Sequence, residues 1–347
     1  MIFLNIFSAI ALILTCLNLF TIKSLKPGQS SLIKSEEIDI LIPMRNEERN
    51  VISFLDSLRS APGLITVLND SSLDKTNLLL QSSNIKIDIL AGQSLPEGWL
   101  GKPFACHQLA SHTSRKYLVF LDADVRLKAG AIDSAITYME NRNWDFISPY
   151  PKQLSKGLFG FLIQPLLQWS WFATIPFFLT KFLPVKSMVV ANGQFFIVKR
   201  DQYIKAGGHK VVRDQVIEDL ELARALVSSG AKGGVVDGSR IATCLMYQNN
   251  KELIAGYSKS LWRAFGGFFG TLIALFLLMA TALSALSFSW AALFIITTRL
   301  IVAQKVGSNK WSSLFHPFAI FILFILILRS NLLKAFGKLT WKDRVVV

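Results

Sequence analysis

The sequence predicts an α/β protein, a mainly parallel sheet with helices on both faces, carried between transmembrane helices at both ends. Three observations predict it. Hydrophobic residues make up 52% and charged residues 17% of the 347, with mean hydropathy +0.42, against about 45–50% and about 25% in soluble domains. The apolar excess sits in four runs without Asp, Glu, Lys or Arg, at 1–22, 157–180, 264–298 and 311–328. Over 36–246, short β-branched or aromatic segments alternate with segments at helical spacing. Such apolarity excludes a disordered chain. The net charge of +14 raises a nucleic-acid partner, but basic loops at a cytoplasmic membrane face explain it better, and no nucleic acid is expected. Cys16, Cys106 and Cys244 are scattered without metal-ligand spacing, so neither a disulfide framework nor a zinc site is indicated.

Taken in order, 1–22 carries no charge and is followed by Lys23 and Lys26, which fits a crossing of about 20 residues whose far end is cytoplasmic. A signal peptide would need a basic start and a clean small-residue cleavage site, and it has neither. Within 36–246, Ile38–Ile42, Leu64–Leu68, Ile85–Leu90 and Tyr117–Leu121 read as buried strands. Val51, Leu55 and Leu58 mark one helix, and Ala131–Asn141 another. Strand and helix in repeated alternation imply a parallel sheet, which binds ligands at the carboxyl ends of its strands.

The run 157–180 carries Gln164, Pro165, Gln168 and Pro176 beside Trp169 and Trp171, the composition of a broken, interfacial segment at headgroup level. The run 264–298 is too long for one upright helix and barely long enough for a tight hairpin. Arg299, Lys305 and Lys310 lie between it and 311–328, whereas Arg329, Lys334, Lys338, Lys342 and Arg344 follow. The larger basic group is expected on the cytoplasmic side, with each run crossing once and a cytosolic tail at 329–347; a hairpin plus one more crossing is the open alternative.

The polar residues sit at strand ends. Pro43-Met44-Arg45-Asn46-Glu47-Glu48 follows the first strand and Asn69-Asp70-Ser71-Ser72 the second. Helix capping accounts for part of these. It does not account for Asp122-Ala123-Asp124 after the fourth strand, where two carboxylates at i and i+2 repel without a cation. Carboxylate oxygens suit a hard divalent ion, Mg²⁺ or Mn²⁺, shared with a substrate phosphate. Glu218-Asp219 opens an amphipathic segment, where acids are favoured by the helix dipole in any case. Gly207-Gly208 before His209 marks an unusual turn.

Together these segments resemble glycosyltransferase family 2, in its membrane-bound, lipid-glycosylating branches. The resemblance runs over about 38–225 and rests on Ile40-Leu-Ile-Pro-Met-Arg-Asn-Glu-Glu48, Val67-Leu-Asn-Asp-Ser-Ser-Leu-Asp-Lys-Thr76, Leu121-Asp-Ala-Asp-Val125, Ala191-Asn-Gly-Gln-Phe-Phe196 and Val216-Ile-Glu-Asp-Leu220. Gly98-Trp-Leu-Gly-Lys-Pro-Phe104, Ala206-Gly-Gly-His-Lys210 and Leu339-Thr-Trp-Lys-Asp-Arg344 narrow it to the group that glycosylates carotenoid acids, hopanoids and sphingolipids. Asp343 departs from the glycine usual in that tail, and the Gln-x-x-Arg-Trp motif of polysaccharide synthases is absent.

The resemblance implies a GT-A fold, a nucleotide-sugar donor, most simply UDP-glucose, a divalent cation and a membrane lipid acceptor. It assigns Pro43, Arg45, Glu47, Asp70, Lys102 and Asp122 to the nucleotide, Asp124 to the metal, Asp219 to the base and Glu218 to its support. Gly193, His209, Trp169 and Trp171 fall on the acceptor side, with the two tryptophans at the lipid entry. The expected protein is multi-pass in the cell membrane with its catalytic domain in the cytoplasm. A polyisoprenyl-phosphate transferase would share all but the acceptor, and a non-catalytic membrane scaffold would have no use for four carboxylates at strand ends.

Overall fold

We describe residues 1–28, 33–180, 185–341 and 344–345 of a computed structural model. Lys342 and Asp343 of the tail motif lie outside the described residues. In chain order the elements are α1 (Ile2–Thr21), β1 (Ile38–Met44), α2 (Val51–Ser57), β2 (Leu64–Asn69), α3 (Thr76–Gln81), β3 (Asp88–Ala91), α4 (Gly101–His112), β4 (Tyr117–Leu121), β5 (Val125–Leu127), α5 (Ala131–Asn141), β6 (Phe146–Tyr150) and β7 (Lys152–Gln153). There follow α6 (Gly157–Thr174), β8 (Phe195–Lys199), α7 (Arg200–Lys205), α8 (Glu218–Ser228), β9 (Gly233–Asp237), β10 (Ala242–Cys244), α9 (Asn250–Ala264), α10 (Phe268–Leu286), α11 (Trp290–Val306) and α12 (His316–Ala335). The chain divides into a sheet unit, Ser24–Lys152 with Pro184–Cys244, and a helical unit, Met1–Lys23 with Gln153–Leu183 and Leu245–Val347.

The sheet unit is built on seven strands in the order β3-β2-β1-β4-β8-β6-β9. β1 pairs in parallel with β2 and β4, and β6 with β9, while β8 runs antiparallel to both β4 and β6. The central strands are apolar without alternation because both faces are covered: β4 is buried at all five positions. Leu41, Leu118, Phe146 and Val198 of the sheet share one core cluster with Leu109 of α4 and Leu226 of α8. The third strand begins at Asp88 rather than Ile85, because it is an edge strand whose pairing with β2 starts at Thr66 opposite Asp88. β1 and β4 point their carboxyl ends the same way, so Pro43 and Asp122 emerge on one rim.

In the helical unit the run 264–298 divides between α10 and the start of α11, and of these two helices α10, Phe268–Leu286, is the one long and apolar enough to cross a membrane. A single helix of that length would measure about 52 Å, against about 30 Å of hydrocarbon. The break falls at 287–289, where Phe288 takes a left-handed backbone (φ 48°) and the Ser289 side chain caps α11 by accepting from Ala291 N–H. The run 157–180 breaks at Ile175-Pro176, between α6 and a short 3-10 turn at Phe177–Leu179, and not at Pro165. α6 runs unbroken through Pro165 and stops at Ile175, the residue before Pro176. Gln164 is satisfied inside the unit, its Nε2 donating to Gln153 Oε1 at 3.0 Å and its Oε1 accepting from Tyr257 Oη at 3.2 Å, whereas the buried amide of Gln168 has no hydrogen-bond partner among the described residues. Asn18 of α1 closes the helix end, donating to the Phe172 and Ile175 carbonyls at 2.9 and 2.6 Å. Among the described residues, three helices are long and apolar enough to cross a membrane: Ile2–Thr21, Phe268–Leu286 and Lys310–Ala335.

Candidate active site

The loops after β1 and β2 are laced together at the rim. Arg45 Nη1 donates to the Asp70 carbonyl at 2.8 Å. The backbone N–H groups of Asn46, Glu47 and Glu48 donate to Ser72 Oγ, Thr76 Oγ1 and Asp74 Oδ2 at 3.1, 2.7 and 3.0 Å. Asn46 and Ser71 each take a left-handed backbone (φ 51°) to make these bonds. Strained positions of this kind recur at ligand clamps. Ser72, Asp74 and Thr76 were visible only as parts of a motif; the N–H groups that donate to them identify them as what holds Asn46, Glu47 and Glu48 in place.

Beyond that loop a pocket opens, lined among others by Pro43, Lys102, Asp122, Gly193, His209, Glu218 and Asp219. Lys102, in the first turn of α4, lies 2.7 Å from Asp122 Oδ1 and 3.1 Å from Glu218 Oε1. Those two carboxylates hold its ammonium charged, above the usual lysine range, against its burial. Glu218 and Asp219 stand in the first turn of α8, as dipole compensation alone would put them. Asp219 does more than that. Its Oδ2 accepts from Gly193 N–H at 2.6 Å and its Oδ1 from Leu220 N–H at 2.8 Å. A Cβ on Gly193 would lie 2.9 Å from Asp219 Cβ and 3.3 Å from Oδ2, so only glycine admits this approach. Burial, then the Glu218 charge, push Asp219 up to about 6 against the pull of Lys102 and the two N–H donors. A carboxylate poised there is suited to accept a proton near neutral pH.

Asp124 tests the cation. Its Oδ1 is buried with no hydrogen-bond partner. Burial first, then the Asp122 and Glu47 charges, raise it to about 7, opposed by Lys102 and by the Cys244 thiol of β10. An orphaned carboxylate oxygen among other acids fits a divalent ion. No group of three His, Cys, Asp or Glu forms a closed metal cage among the described residues. Mg²⁺ and Mn²⁺ are held by one or two carboxylates, with other positions left to phosphate oxygens.

The remaining assignments divide. His209 lines the pocket beneath the edge of Phe120, with ring centroids 4.9 Å apart. Trp169 and Trp171 do not line it. Both are buried in the helical unit, where Trp169 Nε1 donates to Thr298 Oγ1 at 2.8 Å and its ring meets His316 edge-on at 5.0 Å. Tryptophans on an apolar helix read as interface anchors from sequence; here the indole N–H has an internal partner, which is what keeps Trp169 inside. Cys244 against Asp124 and Tyr203 against His209 carried no sequence signal, since a strand cysteine and a helix tyrosine are ordinary core residues.

Residues 39–206 match the family model described as "Glycosyl transferase family 2". Among curated proteins, the chain is similar to 4,4'-diaponeurosporenoate glycosyltransferase of Staphylococcus aureus strain bovine RF122 / ET3-1, 26% identical over 243 residues, or 67% of this chain and 62% of that protein. The version from strain MRSA252 is 26% identical over 241 residues, 66% and 62% of the two chains. The matched segment thus spans less than two thirds of these relatives. Among solved structures, glucosyl-3-phosphoglycerate synthase of Mycobacterium tuberculosis, in complex with Mn²⁺, UDP-glucose and glycerol 3-phosphate, aligns with TM-score 0.44 and 18% identity over 68% of this chain and 84% of that one. The segment 39–206, just under half of the chain, is thus similar to glycosyltransferase family 2, and it carries the Asp122-Ala123-Asp124 rim of the mainly parallel sheet.

Proposed function

We propose that the chain transfers a hexose, glucose in the first instance, from a UDP-linked donor to a membrane lipid of carotenoid, hopanoid or sphingolipid type, inverting the anomeric carbon. The observation that carries this reading is Asp219, pinned by two N–H donors and raised to about 6 across one pocket from Asp122 and Lys102. On this reading Asp219 Oδ takes the acceptor's proton as that oxygen bonds to the anomeric carbon and the carbon–phosphate-oxygen bond breaks. Lys102 exchanges its contact with Asp122 for the diphosphate that carries off the electron pair. A divalent ion held by Asp124 supplies Lewis-acid stabilisation of that leaving charge when bound. Pro43, Arg45, Glu47 and Asp70 line the nucleoside side, and Glu218 holds Lys102 beside the base.

The lipid acceptor is supported by the three apolar helices and by the carotenoid acid in the name of the Staphylococcus relatives. A multi-pass protein with its sheet unit in the cytoplasm follows from the basic residues flanking the apolar runs. The test supplies purified full-length protein in lipid nanodiscs with radiolabelled UDP-glucose, Mn²⁺ and a lipid extract. Label in a neutral or carotenoid glycolipid, lost with EDTA, supports the reading. Label confined to polyisoprenyl phosphate would reassign the acceptor, and no UDP release from any nucleotide sugar would leave only a scaffold.

A further inference from the structure

Tyr203 of α7 and His209 form a pair against the pocket that the mechanism above does not use. The Tyr203 hydroxyl accepts from the His209 backbone N–H at 3.0 Å and lies 2.9 Å from His209 Nδ1. A phenol has one proton to donate. It has no further hydrogen-bond partner among the described residues, so the proton is placed only if it goes to Nδ1. Nδ1 is then the acceptor and Nε2 carries the ring proton. Nε2 makes no hydrogen bond among the described residues, although the side chain lines the pocket and the residue is only 4% exposed.

The surroundings keep this ring neutral and fixed. Burial, Lys102 and His107 depress His209 to about 3, and Phe120 packs edge-on against it. Gly207 and Gly208 take φ of +87° and +57°, and a Cβ on Gly208 would meet the Tyr203 ring at 2.6 Å. The glycine pair therefore exists to lay the His209 backbone on the phenol.

We propose that Tyr203 locks His209 as its Nε2–H tautomer, and that this N–H donates a hydrogen bond to a hydroxyl of the sugar on the nucleotide donor. Charged oxygens in the pocket are answered by Lys102; an uncharged donor matches an uncharged hydroxyl. The sugar half rests on the transferase reading above, and the tautomer half does not. Tyr203 is a positioning residue that acts through His209.

The experiment uses full-length protein in nanodiscs with ¹⁵N-labelled histidine. The expected His209 signal is the Nε2–H tautomer, unchanged between pH 6 and 8, giving way to a tautomer mixture in Tyr203→Phe. An Nδ1–H form or an imidazolium would overturn the lock. In parallel, UDP-glucose is compared with its monodeoxy analogues. Wild type should lose about 10–100-fold in kcat/KM at one deoxy position. His209→Ala should lose that discrimination, and His209→Gln, which retains an N–H donor, should recover part of it. Undiminished discrimination at that position in His209→Ala overturns the sugar contact. If UDP-glucose is not turned over at all, the transferase reading fails with the sugar contact, while the ¹⁵N spectrum still decides the lock.

Discussion

Replacing Asp219 by Asn separates what this carboxylate does for the fold from what it does for the reaction. Its folded pKa of about 6 stands above the ordinary 3.8, so the folded protein holds the proton more tightly than the unfolded chain. That contribution favours the fold below about pH 3.8 and is lost as pH rises through about 6. At pH 8, keeping the group ionised costs up to about 3 kcal/mol; residual solvent contact makes this an upper figure. Asn removes that cost. It also offers one carbonyl oxygen where Asp219 offers two, to Gly193 N–H at 2.6 Å and Leu220 N–H at 2.8 Å, and losing a charge-assisted bond costs about 1.5–3 kcal/mol. The two terms nearly cancel, so the melting temperature at pH 8 should stay within a few degrees of wild type. Turnover on a hydroxyl lipid should fall about 10²–10⁴-fold, the span of a lost general base. The wild-type kcat/KM should show an acid limb near pH 6 that Asp219→Asn lacks. With a carboxylate lipid no proton needs removing, and the loss should be much smaller. A folded variant that keeps more than a tenth of wild-type turnover on a hydroxyl lipid would refute the assignment of the base.

Three further outcomes follow. Lys102→Met removes the positive charge that holds Asp219 down, so the acid limb should move to higher pH and donor KM should rise, both read from one pH–rate series. Gly193→Ala places a methyl 2.9 Å from Asp219 Cβ; thermal melts should show about 1–3 kcal/mol of destabilisation, and turnover should fall further than stability explains. Trp169→Ser empties a buried indole site and leaves Thr298 without its donor, so denaturation should register about 3–5 kcal/mol while calorimetric UDP affinity of the folded fraction stays at wild type.

The sheet and its rim were legible because their signals are local. β4 is an unbroken apolar string and β1 is one but for Asp39; the two acids at Asp122 and Asp124 after β4 have no reason to stand so close unless something cationic comes between. Asp122 and Asp124 could therefore be singled out by position, whereas Glu218 and Asp219, equally explained by the helix dipole, were singled out through the resemblance to glycosyltransferase family 2. What stayed hidden depends on partners far along the chain. Trp169 is 129 residues from the threonine that satisfies it, and Asn18 closes a helix 154 residues away. A proline and two glutamines in α6 look like a break until Gln153 and Tyr257 are seen to satisfy Gln164. The Tyr203–His209 pair is only six residues apart, yet it depends on two glycines in left-handed conformations, which a sequence marks as a turn without saying what the turn presses together.

The +14 charge is itself resolved by the division into units. Counted over their residues, the helical unit carries fourteen Lys and Arg against Glu252 and Asp343, while the sheet unit carries twenty-three against twenty-one acids. A nucleic-acid binder concentrates its surplus on the folded polar domain that meets the backbone. Here that domain is close to neutral, and nearly the whole surplus belongs to the helical unit, mostly in the segments that flank its apolar helices. Within the helical unit, Lys334 Nζ lies 5.3 Å from the Trp262 ring centroid and the Arg263 guanidinium carbon 5.9 Å. Basic side chains around a tryptophan beside apolar helices are how proteins seat themselves at an anionic headgroup layer. The near-neutral sheet unit then has little general attraction for phosphate. On the proposed reading its hold on a nucleotide comes from single placed cations such as Lys102, whose ammonium sits between Asp122 and Glu218.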